Sequence, residues 1–253
     1  MVCMVFRRSH CSCSTTRTKK IKKLGQKIRV IIPAYNEGKA IGKVITNIPP
    51  HVNEIIVVDN NSNDDTEKIA RQLGATVLTE LKKGYGSACL KGINYLNQKK
   101  EKTDIVVFID GDFSDYPEDL VKITKPIIEK DIDFVIGSRR KNLREKGSMQ
   151  PQQIFGNWLA TLLMRFFFKL KFTDLGPFRA IKFQTLLALK MQDPNYGWTI
   201  EMQLKILRQN WSYKEIPVKY RNRIGVSKVS GTFKGSIFAG IKILTLIFKY
   251  RFK

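Results

Sequence analysis

The stretch Ile105-Val106-Val107-Phe108-Ile109-Asp110-Gly111-Asp112 is a short apolar run that stops abruptly on two carboxylates separated by a glycine. A run this short, rich in β-branched residues and without alternation, fits a strand buried on both faces. The same pattern recurs on either side of it. Residues 28–32 form an apolar run with one Arg, stopped by Pro33, and residues 54–58 end in Asp59-Asn60-Asn61-Ser62-Asn63-Asp64. Residues 75–78 and 134–136 read as two more strands. Helices fit about residues 39–48, the stretch from the polar turn to Leu73, and residues 87–96, with Gly84-Tyr85-Gly86 as a flexible loop. Short buried strands exchanged for helices predict an α/β fold, a mostly parallel sheet covered by helices.

In such sheets, polar residues just after a strand gather at the carboxyl edge, where ligands bind. Asn36 and Glu37 follow the first strand, Asp59 and Asn60 the second, and Asp110 and Asp112 the fourth. Three separated segments therefore converge on one crevice. Two carboxylates around a glycine can approach one cation, and hard oxygen ligands left partly open to a diphosphate suit Mg2+ or Mn2+. The competing reading is a solvated acidic turn, because Asp115, Glu118 and Asp119 follow closely. No Gly-rich loop ending in Lys-Ser/Thr is present, and no dinucleotide glycine fingerprint. The segment Lys82-Lys83-Gly84-Tyr85-Gly86 can offer backbone amides to phosphate.

The chain has 253 residues and a formal charge of +23, enough length for one sizeable core and a small attachment. Nine of the cations (Arg7, Arg8, Arg17, Lys19, Lys20, Lys22, Lys23, Lys27 and Arg29) fall in residues 1–29, which contain no acid. Residues 1–28 read as a basic, disordered head or a targeting segment. Cys3, Cys11 and Cys13 lie in that head and Cys89 stands alone, so no disulfide framework is expected. Basicity suits an anionic partner. Nucleic acid is disfavoured, because no recognition module accompanies the charge and the acidic strand end has no role in such binding.

Taken together these stretches resemble the family 2 inverting glycosyltransferases, and within them the dolichyl-phosphate mannose and polyprenyl-phosphate glucose synthases. The likeness runs from about Arg29 to Tyr250 through Val30-Ile-Ile-Pro-Ala-Tyr35-Asn-Glu37, Val57-Val-Asp-Asn60, Asp110-Gly-Asp112, Gly137-Ser-Arg139, Asp174-Leu-Gly-Pro-Phe-Arg179, Glu201-Met202, Glu215-Ile-Pro-Val218 and Tyr220-Arg-Asn-Arg223-Ile-Gly225-Val-Ser-Lys228. It implies the nucleotide-sugar transferase type A fold. Pro33, Tyr35, Glu37, Asp59 and Asn60 would hold the nucleoside, Asp110 and Asp112 the metal and diphosphate, and Arg139 the acceptor phosphate. Asp174 would organise the sugar or phosphate site, and Arg223 with Lys228 would close over a phosphate. The chain departs from the synthases in three places: Asn60 replaces an acid, Ser114 replaces a metal-binding Gln, and Gln152-Gln153 stands where another Arg is common. The implied reaction moves a hexose from GDP-mannose or UDP-glucose to a polyprenyl or dolichyl phosphate with inversion. The alternative is a hydroxyl-bearing glycan acceptor.

Between Phe155 and Phe172, apolar residues recur at helical spacing, and residues 237–248 form a second apolar segment with Lys242 inside it. Neither supplies the roughly 20 apolar residues of a membrane crossing. A catalytic domain is expected at 29–232, including an amphipathic interface helix at about residues 153–172, and an amphipathic membrane-associated segment follows it at 233–253. The implied location is the cytoplasmic face of a membrane, peripheral or monotopic, with a membrane protein or a second copy as possible partner.

Overall fold

Strand β1, Ile28–Ala34, is buried along its whole length in this computed structural model, which describes residues 25–169, 172–226 and 233–252. The basic head up to residue 24 and Lys228 lie outside the described residues. The other strands are β2 (Glu54–Asp59), β3 (Thr76–Thr79), β4 (Ile105–Phe108), β5 (Phe134–Ser138), β6 (Arg179–Lys182) and β7 (Tyr213–Pro217). They form one sheet in the order β3-β2-β1-β4-β6-β5-β7. Only β6 runs against its neighbours, antiparallel to both β4 and β5. The sheet is thus mostly parallel, and the crossovers of its first half bring the ends of β1, β2 and β4 to a common edge.

β6 and β7 add two strands to the five anticipated. β6 is only Arg-Ala-Ile-Lys, and β7 is a half-buried edge strand, so neither carries the apolar run that marks a central strand. The lone arginine in β1 is also explained by distant partners. Arg29 is 1% exposed, and its guanidinium donates to Glu54 Oε2 at 2.9 Å, Thr103 Oγ1 at 2.6 Å and the Lys102 carbonyl at 2.9 Å. A buried charge is tolerable in a strand when its donors are satisfied this way.

Successive β1 side chains serve two cores. Val30 and Ile32 pack with α1 (Ile41–Thr46), α2 (Thr66–Gln72) and α4 (Leu120–Lys130). Ile31 faces the other core, which holds α3 (Tyr85–Gln98), α5 (Pro151–Phe168), α6 (Phe183–Leu189), α7 (Trp198–Arg208) and α8 (Phe233–Phe252). This two-sided cover is the reason the central strands read as unbroken apolar runs.

Helices α5 and α8 were expected to lie in a membrane interface; they pack instead on one another and on the core. Ala160 and Met164 of α5 and Leu246 and Ile247 of α8 are buried in the second core. Phe167 meets Phe248 edge-on at 5.5 Å. Phe155, Trp158 and Phe166 stay exposed on the outer side of α5. Among the described residues, no helix is long and apolar enough to cross a membrane.

Candidate active site

A cavity of about 300 Å³ opens at the carboxyl edge of β1, β2 and β4. Its walls come from Pro33 near the end of β1 and Tyr35 and Glu37 just after it, Asn60 after β2, and Asp110 to Asp112 after β4. Lys83, Gly84 and Tyr85 enter from the start of α3, Asn195 and Tyr196 from the loop before α7, and Arg223 from the segment after β7. Of the residues singled out in the sequence, Pro33, Tyr35, Glu37, Asn60, Asp110, Asp112 and Arg223 share this cleft. Asp59, Arg139 and Asp174 are not part of its wall.

The two strand-end loops are sewn together before any ligand arrives. Asn36 sits at φ 53° and its carboxamide oxygen accepts the Asn63 amide at 2.8 Å, while its own amide donates to Ser62 Oγ at 2.9 Å. Asp59, 2% exposed, accepts the Ser62 amide at 3.0 Å through Oδ2, and its Oδ1 has no protein partner. Lys83 Nζ lies 3.8 Å from the Tyr35 ring centroid, a cation–π contact at the cleft mouth.

Asn60 is a clamp. Its Nδ2 donates to the carbonyls of Glu80 and Lys82 at 2.8 and 2.9 Å, and its Oδ1 accepts the Gly84 amide at 2.8 Å. This position needs donors and an acceptor at once, which an amide supplies and a carboxylate does not. The departure from the synthases at Asn60 is therefore matched by its surroundings. Asn60→Asp should cost about 2 kcal/mol or more, because an anion would face two carbonyl oxygens in a buried site. Urea denaturation measures it; a midpoint equal to wild type would show that the amide is not needed.

The clamped loop is pressed against the Asn195 segment. A Cβ on Gly84 (φ 140°) would lie 2.2 Å from the Pro194 carbonyl oxygen, and one on Gly86 would lie 2.0 Å from the Asp193 oxygen. Only glycine allows that approach. Beneath the loop, Glu201 is 2% exposed and accepts the Asp193 amide at 2.8 Å and Lys205 Nζ at 2.7 Å. Glu201 is thus a loop support rather than a proton acceptor for substrate. Asn195 and Tyr196 had escaped sequence reasoning, although the turn residues Asp193-Pro194-Asn195 ahead of an apolar helix are a legible helix-start signal.

At the acidic end, Asp112 Oδ1 accepts both the amide and the hydroxyl of Ser114, at 2.9 and 2.6 Å. Ser114 is fully buried and orients Asp112. Asp112 Oδ2 lies 3.2 Å from Arg223 Nη1, and Arg223 Nη2 reaches Glu37 Oε1 at 3.0 Å. Asp110 Oδ1 is buried with no hydrogen-bond partner. Burial first, and the neighbouring Asp112 charge second, push the Asp110 carboxyl up to about 7. An orphaned, buried carboxylate oxygen beside a second carboxylate fits a hard divalent cation, which would satisfy the oxygen and cancel the repulsion. Among the described residues, no group of three or more His, Cys, Asp or Glu gathers to hold a metal, so diphosphate oxygens and water would complete such a shell.

Arg139 lies elsewhere. Its Nε and Nη2 grip Asp174 at 2.8 and 2.7 Å, its amide donates to Asp174 Oδ2 at 2.7 Å, and its guanidinium lies 5.2 Å from the Tyr220 ring. Burial alone would push Asp174 up, but the Arg139 charge and these hydrogen bonds hold it below the ordinary carboxylate range. The fork expected to take an acceptor phosphate is already filled by Asp174.

The family model described as glycosyl transferase family 2 matches residues 29–188. This chain belongs to that family. An uncharacterized glycosyltransferase of Mycobacterium tuberculosis is 33% identical over 218 residues, covering 85% of this chain and 95% of its own. The fold is also that of glucosyl-3-phosphoglycerate synthase from Mycobacterium tuberculosis. Its complex with Mn2+, UDP and phosphoglyceric acid matches at TM-score 0.72 and 22% identity, over 96% of this chain and 84% of that one. The complex with Mn2+, UDP-glucose and phosphoglyceric acid matches at TM-score 0.70 and 22% identity, over 96% and 85%.

These findings correct the finer likeness. These two structures, which match across nearly the whole chain, are of glucosyl-3-phosphoglycerate synthase rather than of a dolichyl-phosphate mannose or polyprenyl-phosphate glucose synthase. The polyprenyl or dolichyl phosphate acceptor, the membrane partner and the place at a membrane face fall with it. The physical reason agrees: Arg139 offers no free fork to a lipid phosphate, and the expected interface helices are packed together. In those complexes Mn2+ accompanies UDP and UDP-glucose, the kind of divalent cation and nucleotide-sugar donor expected from the sequence.

Proposed function

We propose that this glycosyltransferase moves a hexose from a UDP-sugar to a hydroxyl of a small polar acceptor, with a divalent cation held by Asp110 and Asp112. The observation that carries the reading is the orphaned Asp110 oxygen beside Asp112 at the end of β4, across a cleft from Tyr35 and Asn60. Tyr35, Glu37 and the clamped Lys82–Gly84 turn would seat the nucleoside, with Asp59 supporting from below. A cation on Asp110 and Asp112 supplies neutralisation of the charge that grows on the leaving diphosphate. Arg223, tethered at Glu37, places a second positive charge beside it. Asn195 and Tyr196 line the same cleft and would suit the sugar hydroxyls. Asp174 and Arg139 act through each other, as a buried strut behind the site. Residues 29–232 form the catalytic unit in this reading, and α8 belongs to its outer layer.

The acceptor side is supported by what phosphoglycerate glucosyltransferases of this fold carry, namely phosphoglyceric acid. Purified protein with Mn2+ should be offered UDP-glucose, UDP-N-acetylglucosamine or GDP-mannose, against 3-phosphoglycerate, unphosphorylated glycerate or polyprenyl phosphate in vesicles. Transfer from a UDP-sugar to a small hydroxy acid is expected, and the anomeric configuration of the product reads inversion directly. Transfer to the lipid phosphate alone, or from GDP-mannose alone, would overturn the assignment.

A further inference from the structure

The geometry points to Arg221 as the residue that holds the metal loop in shape, a positioning role that rests on the reading of Asp110 and Asp112 above. Phe113, the residue after Asp112, has φ 63°, a left-handed conformation that a bulky L side chain adopts only when its surroundings impose it. The Arg221 guanidinium supplies such a surrounding. Its Cζ lies 3.5 Å from the Phe113 ring centroid and 3.8 Å from that of Tyr116, a flat cation between two aromatic rings. The Arg221 amide donates to the Ser114 carbonyl at 2.9 Å, and Nη2 donates to the Asp115 carbonyl at 3.1 Å. One arginine therefore touches four consecutive residues after Asp112.

Neighbouring backbone continues the seam. The Ile224 amide donates to the Asp112 carbonyl at 3.0 Å, and Asp115 bridges to Tyr220. Arg221 Nε is buried and has no hydrogen-bond partner. A guanidinium tolerates this better than an ammonium, because it is weakly hydrated and attracted to aromatic faces. Arg221 is absent from the cleft wall, so its action on a ligand must pass through the loop it grips. With Phe113 fixed, Ser114 stays where it bonds Asp112 Oδ1, and Oδ2 stays beside Arg223 Nη1.

The experiment titrates Mn2+ into protein with UDP present and no acceptor, following free Mn2+ by electron paramagnetic resonance. Arg221→Ala should weaken Mn2+ binding about tenfold, equivalent to about 1.4 kcal/mol, with circular dichroism unchanged. Arg221→Lys should recover little, since a lysine cannot lie flat between two rings. Adding Phe113→Gly to Arg221→Ala should restore most of the affinity, because glycine takes a positive φ without steric cost. Wild-type affinity in Arg221→Ala, or a loss that Phe113→Gly leaves untouched, would overturn the proposal. Should Arg221→Ala fail to fold, Tyr116→Leu removes one face of the stack alone. It should weaken binding about threefold, and an unchanged value there overturns the idea equally. The assay contains no acceptor, so an error in the acceptor class leaves it intact. Wild-type protein that binds no Mn2+ would remove the metal assignment and this role together.

Discussion

Asp110→Ala and Asp112→Ala should each cut sugar transfer by a factor of a hundred or more, about 3 kcal/mol of transition-state stabilisation, because the leaving diphosphate loses the cation that screens it. The two variants should differ in stability. Asp110 carries a buried oxygen with no partner but also hydrogen-bonds the buried Tyr85, so its removal relieves an unfavourable charge at the cost of that bond and should leave the urea midpoint close to wild type. Asp112 anchors Ser114 and pairs with Arg223, so its removal should lower the midpoint. Turnover of the UDP-sugar with Mn2+, before and after chelation, measures the first effect. Undiminished turnover in both variants and in chelated enzyme would remove the metal from the mechanism.

The second large effect is on folding. Arg139→Ala would strand Asp174 as a buried carboxylate and should destabilise the protein by about 3–5 kcal/mol, whereas Arg139→Met with Asp174→Leu, which removes both charges, should cost much less. The pH dependence follows from the sign of the shift. Asp174 is held below the ordinary carboxylate range in the folded protein, so the pair's contribution is fully present above about pH 4. It is lost as pH falls through the lower folded value. The wild-type urea midpoint should therefore drop in acid more steeply than that of the double variant. Parallel acid profiles would show that the pair does not govern stability there.

Much of the site was open to reading one segment at a time. The run from Ile105 to Ile109 announces a buried strand, and the polar residues behind it announce a ligand edge, since both follow from local periodicity and the geometry of parallel sheets. Hence the α/β sheet and the convergence of Glu37, Asn60, Asp110 and Asp112 could be stated without coordinates. What could not be stated was which polar groups are already taken. Arg139 and Asp174 are 35 residues apart, and Arg223 and Glu37 are 186 apart. No local pattern records whether such side chains meet each other or a ligand.

The same limit applies to strands and helices whose faces are set by neighbours. β6 and β7 lack an apolar run because a short antiparallel insert and a half-buried edge do not demand one. The apolar stripes of α5 and α8 are equally compatible with lipid and with each other, since burial of apolar area is non-directional. The sequence by itself determined the fold class, the family and the strand-end segments of the cleft, though not the Asn195–Tyr196 loop, because these rest on periodicity and on motifs within single strand ends. Tertiary structure decided that Asn60 is a clamp, that Arg139 is spent on Asp174 and that Arg221 stacks on Phe113, because a charged or polar side chain is defined by its partners in space.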